Sequence, residues 1–159
     1  MSQVAHTSHP MALVTGASSG IGKQFAEQLA AKGHGLVLVA RDRERLEALA
    51  IHLGTHYGVP TEVLSADLTQ RADIERVARR IRQDEAPVTV LVNNAGTART
   101  LAFESISDEA WQEDLDLKLF AAIRFSRLVW PGMKQRKWGR IINVLNTFAK
   151  APAGNSAPT

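Results

Sequence analysis

Short apolar runs alternate with stretches whose apolar residues recur at helical spacing. Met11-Ala12-Leu13-Val14 is the first run and predicts a strand over 11–15. Leu36 to Ala40 and Val88 to Val92 predict two more, and Thr61–Ser65 and Arg140–Leu145 predict a short third strand and a last one. Runs that are apolar throughout suit strands covered on both faces, as in a parallel sheet. Between them, Phe25, Leu29 and Ala30 predict a helix over about 20–32 that stops at Gly33. Leu46, Leu49 and Leu53 predict a second over about 42–57, with Asp42 as its cap. Ile74, Val77, Ala78 and Ile81 predict a third over about 70–85. Ser107 is placed to cap a long helix of about 108–130. Its stripe is read as Trp111, Leu115, Ala122, Phe125 and Val129, with Lys118 in the middle and Pro131-Gly132 ending or kinking the helix.

Strands alternating with helices give βαβ units and right-handed crossovers. The expected fold class is therefore α/β, a doubly wound parallel sheet of about five strands. Residues 11–150 form its domain. Residues 1–10 are polar and read as a flexible tail, with His6 and His9 in it, and 151–159, rich in Pro, Gly and Ala, as an irregular segment. His52 and His56 stand i,i+4, but no third ligand is in view, so they read as solvated surface histidines.

Composition narrows the function classes. Nineteen Lys and Arg against sixteen Asp and Glu leave +3, too little to argue for nucleic acid, and the arginines are spread along the helices. There is no cysteine, hence no disulfide framework and no thiol chemistry, which fits a cytoplasmic location. Residues 1–10 hold no apolar h-region and so do not read as a signal peptide, and no run approaches the ~20 apolar residues of a membrane helix.

The chemistry gathers at Thr15-Gly16-Ala17-Ser18-Ser19-Gly20-Ile21-Gly22, where the first strand turns into the first helix. Gly16 allows a sharp turn, Gly20 allows a pyrophosphate close to the backbone, and Gly22 allows the helix to pack on the strand. The helix start offers N–H groups and a positive dipole end to an anion. The spacing is Gly-x-x-x-Gly-x-Gly, so a glycine-rich turn without ligand stays open as an alternative. Gly16, Arg41, Asp67 and Asn93 end four different strands, and a doubly wound sheet would bring them to one rim, where ligands bind.

Thr15 to Gly22, Asp67 and Asn93-Asn94-Ala95-Gly96, in that order, resemble the short-chain dehydrogenase/reductase family, over about Ala12 to about Ile142. The resemblance implies a Rossmann sheet that binds NAD or NADP. Gly16, Ser18, Gly20 and Ile21, with Ser19 and Gly22 in the same turn, would meet the phosphates and ribose. Asp67 and Leu68 would hold the adenine. Asn93, Ala95 and Gly96 would line the far ribose, and Asn93 would also stabilise the sheet. Arg41 stands where NAD-preferring members carry an acid, so NADP(H) is the expected cofactor, with NAD(H) as the second choice.

The family's catalytic Asn, Ser, Tyr and Lys are not matched. Lys118 stands at the Asn, Asn146 at the Ser and Thr159 at the Tyr, and the Lys would lie past residue 159. Lys118 has two readings: a stem buried with its ammonium in a wet cavity, or a replacement for the proton relay. The resemblance also implies further strands and helices, so the sequence reads as the N-terminal portion of a longer protein. For that protein the expectation is an NADP-dependent oxidoreductase acting on a carbonyl or alcohol. It is expected to be a homo-oligomer, without nucleic acid or membrane partners and without a metal. The alternatives are a catalytically inactive NADP-binding module and an unliganded fragment.

Overall fold

A computed structural model describes residues 9–97 and 102–146. In chain order it has β1 (Met11–Thr15), α1 (Gly20–Ala31), β2 (Gly35–Ala40), α2 (Arg43–Tyr57), β3 (Thr61–Ser65), α3 (Arg71–Ile81) and β4 (Val88–Asn93). After a single 3-10 turn at Phe103–Ser105 come α4 (Asp108–Leu115), a π-helical turn (Asp116–Phe120), α5 (Ala121–Gln135) and β5 (Arg140–Asn143). All strand pairs are parallel and the order is β3-β2-β1-β4-β5. The chain builds outward from β1 to β3, then crosses back to add β4 and β5 on the other side. This is the doubly wound sheet the alternation predicts.

The largely apolar β1, β2 and β4 are buried because both sheet faces are covered. On one face Leu13, Val37, Val39 and Leu91 pack with Ile74 and Val77 of α3 and Phe125 and Val129 of α5. On the other, Val14, Leu36, Leu38 and Val92 pack with Ala26 of α1 and Leu46 and Leu53 of α2. The two faces leave the carboxyl ends of the strands as the open edge.

The long helix departs from expectation. It continues through Pro131 to Gln135, and the π turn lies inside it. A π turn adds a residue to the helical repeat and rotates everything after it. Ala121, not Ala122, is therefore buried with Phe125, Val129 and Met133, while Leu115 is 39% exposed. Two other elements are shorter than expected: α3 ends at Ile81, and β5 pairs only to Asn143, with Val144 N–H adding one bond to the Asn93 carbonyl at 2.9 Å.

At the start of the described chain His9 Nδ1 is 2.9 Å from the Gly33 carbonyl, and the Pro10 carbonyl accepts from Gly35 N–H at 3.1 Å. The segments 1–8 and 151–159 lie outside the described residues. His52 and His56 are stacked with ring centroids 5.6 Å apart, and no cluster of three metal-capable side chains occurs among the described residues. No helix there is long and apolar enough to cross a membrane.

Candidate functional site

The open edge of the sheet carries a cleft of about 520 Å³. Four strand ends contribute to it, as the strand order requires. Gly16, Ser18, Ser19, Gly20 and Ile21 form one wall, Ala40 to Asp42 with Arg45 a second, Ala66 to Thr69 a third, and Asn94 to Thr97 the fourth. Glu113, Asp114 and Leu117 close it from the helical side.

The glycine turn is built for close approach. Gly16 and Gly20 have φ of 65° and 52°, the left-handed region that disfavours a side chain. A Cβ on Gly16 would lie 2.7 Å from Asn94 Nδ2, and one on Gly22 would overlap the Gly16 carbonyl. A Cβ on Gly20 would meet no protein atom within 4 Å, so the space beside it belongs to the cleft. Ser19 caps α1 without a side-chain bond, and no acid sits in the first turn. The first-turn N–H groups and the positive helix end are thus left to an anion. These features fit a dinucleotide pyrophosphate.

A second loop is stitched to this turn. Thr15, 2% exposed, accepts from the N–H of Asn94 at 2.9 Å and of Ala95 at 3.0 Å on its Oγ1, and donates to the Val92 carbonyl at 3.2 Å. Asn94 Nδ2 donates back to the Thr15 carbonyl at 3.0 Å and the Gly16 carbonyl at 3.3 Å. Asn93 is turned away from the cleft. Its Nδ2 donates to Asn143 Oδ1 at 2.9 Å and Ser126 Oγ at 3.3 Å, joining β4 to β5 and α5. Its side chain serves the sheet, while Asn94 lines the cleft beside Ala95 and Gly96.

The end of β2 is cationic. Asp42 caps α2 by accepting from Arg45 N–H at 3.1 Å, and its other oxygen pairs with Arg45 Nε at 3.1 Å. Arg45 offsets the charge of Asp42, and Arg41 leaves the rim net positive. At the end of β3, Asp67 Oδ1 accepts from Thr69 N–H at 3.0 Å and Oγ1 at 2.8 Å. Asp67 N–H donates to Asp73 at 2.7 Å, and this bond, together with Arg76, holds the Asp73 carboxyl below its ordinary range.

The expected catalytic positions are less convergent. Lys118 lies in the π turn, with its buried ammonium 2.8 Å from Asp114 Oδ1 in an ion pair without hydrogen-bond geometry. Its stem runs beside Gly96, where an added Cβ would be 3.7 Å from Lys118 Cγ and Cε. The ammonium faces the Asp114 carboxylate, which itself lines the cleft. Asn146 follows β5 and is exposed, outside the cleft lining. Thr159 lies outside the described residues.

Sequence reasoning missed Arg45, Asn94 as a lining residue, Asp73 and Asp114. Arg45 was within reach, being three residues after the cap Asp42 at a helix start, and Asp114 stands i,i+4 before Lys118. Asn94 and Asp73 act through contacts that only the folded sheet creates.

Residues 10–158 match the profile of the family described as short chain dehydrogenase. The chain is 38% identical to the D-beta-hydroxybutyrate dehydrogenase of Cupriavidus necator over 137 residues, 86% of this chain and 52% of that protein. It is 36% identical to the 3-oxoacyl-[acyl-carrier-protein] reductase of Escherichia coli over 147 residues, 92% of this chain and 59% of that one. Among solved structures, a short-chain dehydrogenase from Sphingobium yanoikuyae in complex with NADPH superposes with a TM-score of 0.87 at 42% identity. That match covers 92% of this chain and 57% of the other. The chain thus spans a little over half the length of these relatives.

Proposed function

The chain belongs to the short chain dehydrogenase family, and from that premise we propose that its cleft binds NADP(H) as part of an oxidoreductase acting on a carbonyl or alcohol. The observation that carries the reading is the cleft itself. An uncapped helix start beside open Gly20 suits the pyrophosphate, and Arg41 with Arg45 at the end of β2 suits a 2′-phosphate. The NADPH held by the Sphingobium relative supports the same choice. Asp67 and Leu68 would hold the adenine, and Ala95 and Gly96 the far ribose.

The bound dinucleotide would supply the hydride. The residues of this chain would orient it and hold a proton. Lys118 Nζ, kept beside Asp114 with its stem against Gly96, is the proton-holding group we assign, and the Asn146 amide can donate to a substrate oxygen. Fluorescence titration tests the cofactor reading: NADPH binds more tightly than NADH, and Arg41→Asp reverses the order. Equal affinities before and after that change would remove it.

A second reading is a nucleotide-binding module without catalysis. The replacement of the family's Asn and Ser by Lys118 and Asn146 favours it. Turnover of a carbonyl panel by the whole protein separates the two readings. Leu119, Ile123 and Trp130, exposed on one face of the long helix, support self-association. A chain without cysteine suits a reducing cytoplasm.

A further inference from the structure

The corner of the cleft formed by the end of β3 is held from behind. Asp73 is in the first turn of α3 and does not line the cleft. One of its oxygens accepts from Asp67 N–H at 2.7 Å. The other takes Arg76 Nε at 3.2 Å and Nη2 at 2.7 Å. The same Nη2 donates to the Ser65 carbonyl at 2.6 Å, so Arg76 ties Asp73 to the last residue of β3. Asp67 is engaged at three more points. Its carbonyl accepts from Gln70 N–H at 2.9 Å, and its Oδ1 accepts from the Thr69 N–H and hydroxyl. Among the described residues, Asp67 Oδ2 is the one polar atom of that residue without a hydrogen bond, and Asp67 lines the cleft.

We propose that Asp73 is a positioning residue for the adenine half of the dinucleotide: by holding the Asp67 backbone, it aims the carboxylate of Asp67 at the exocyclic amino group of adenine. The inference rests on the dinucleotide reading. Thr69 and Asp73 fix the turn from opposite sides, so the free oxygen of Asp67 has one direction in which to accept. An amino group donates to it, whereas the ring carbonyl of hypoxanthine does not. Without Asp73 the Asp67 N–H loses its acceptor and the turn its anchor. Recognition of the base would then fall without loss of the phosphate sites on α1 and α2.

The test compares NADPH with its deamino analogue, which carries hypoxanthine, by titration of the 159-residue chain, Asp73→Leu and Asp73→Asn. The unchanged chain prefers NADPH by about tenfold, the worth of a hydrogen bond to a charged group. Asp73→Leu abolishes that preference, because NADPH weakens about tenfold while the analogue changes by less than about threefold. Asp73→Asn, which keeps an oxygen for the Asp67 N–H, retains most of the preference. A general structural role would weaken both ligands equally and leave the ratio intact, and that outcome overturns the proposal. An unchanged chain that binds both ligands equally also overturns it, whereas one that binds neither removes the dinucleotide reading itself.

Discussion

Gly20 and Gly22 are two residues apart and have opposite roles. Gly22 has protein where a side chain would go, so Gly22→Ala is expected to cost roughly 1–3 kcal/mol of stability, read from urea unfolding. Gly20 has open cleft there, so Gly20→Val is expected to abolish NADPH binding while the helical circular dichroism stays nearly unchanged. Unaltered affinity in that variant would reduce Gly20 to a turn residue. The packing role of Gly22 was legible in the sequence, because a glycine pattern between strand and helix has few physical uses, and the binding role expected of Gly20 has open space to act in. What was not legible is that Asn94 presses on the turn, since its bonds to Thr15 span 79 residues. Asp73 also has a pH consequence. Its folded pKa lies below the ordinary 3.8, so its contribution is complete above that value and is lost as pH falls through the folded pKa. Asp73→Asn is expected to flatten the stability profile below about pH 4 in acid titrations followed by circular dichroism. A profile of unchanged slope would show that the bond from Asp67 N–H and the pair with Arg76 add nothing to stability through the charge of Asp73.

At the scale of elements, the strands and the first three helices were legible because apolar period and turn residues agree at each. The long helix was legible as a helix but not in its phase. The pattern around Leu115 and Ala122 assumes a constant period of ~3.6 residues, and the π turn at Asp116–Phe120 breaks it. That turn also sets Lys118 beside Asp114, a pairing that spacing alone suggests and burial makes consequential. Another element-scale device is Arg80 of α3, which is 5% exposed. It grips Glu62 of the edge strand β3 with two bonds of 2.6 and 2.8 Å and donates to the Ala86 carbonyl before β4 at 3.0 Å. Arg80→Ala removes packing and leaves the Ala86 carbonyl unpaired, so a loss of about 2–4 kcal/mol is expected in denaturant melts. A loss near zero would mean that water replaces the guanidinium without cost.

For the whole molecule, four strand ends line the cleft, whereas of the expected catalytic positions only Lys118 comes near it, Asn146 being outside its lining. Purified residues 1–159 are therefore expected to show no hydride transfer above background with common carbonyls or alcohols, followed by NADPH absorbance. Losing general acid–base assistance costs ~10²–10⁴ in rate, and Lys118 with Asn146 are the groups that could offset it. Turnover that disappears in Lys118→Ala would overturn this and make Lys118 the acid. The stitch between Thr15 and Asn94 adds a matter of timing. On the ribosome, β1, β2 and β3 emerge first and can pair in that order. The glycine turn, though among the first residues made, waits for a partner 79 residues downstream. At ~5–20 residues per second that is a delay of about 4–16 s. Until it ends the cleft has one wall missing and the glycine turn lacks the bonds from Asn94 and Ala95 that brace Thr15, so the fourth strand completes both at once.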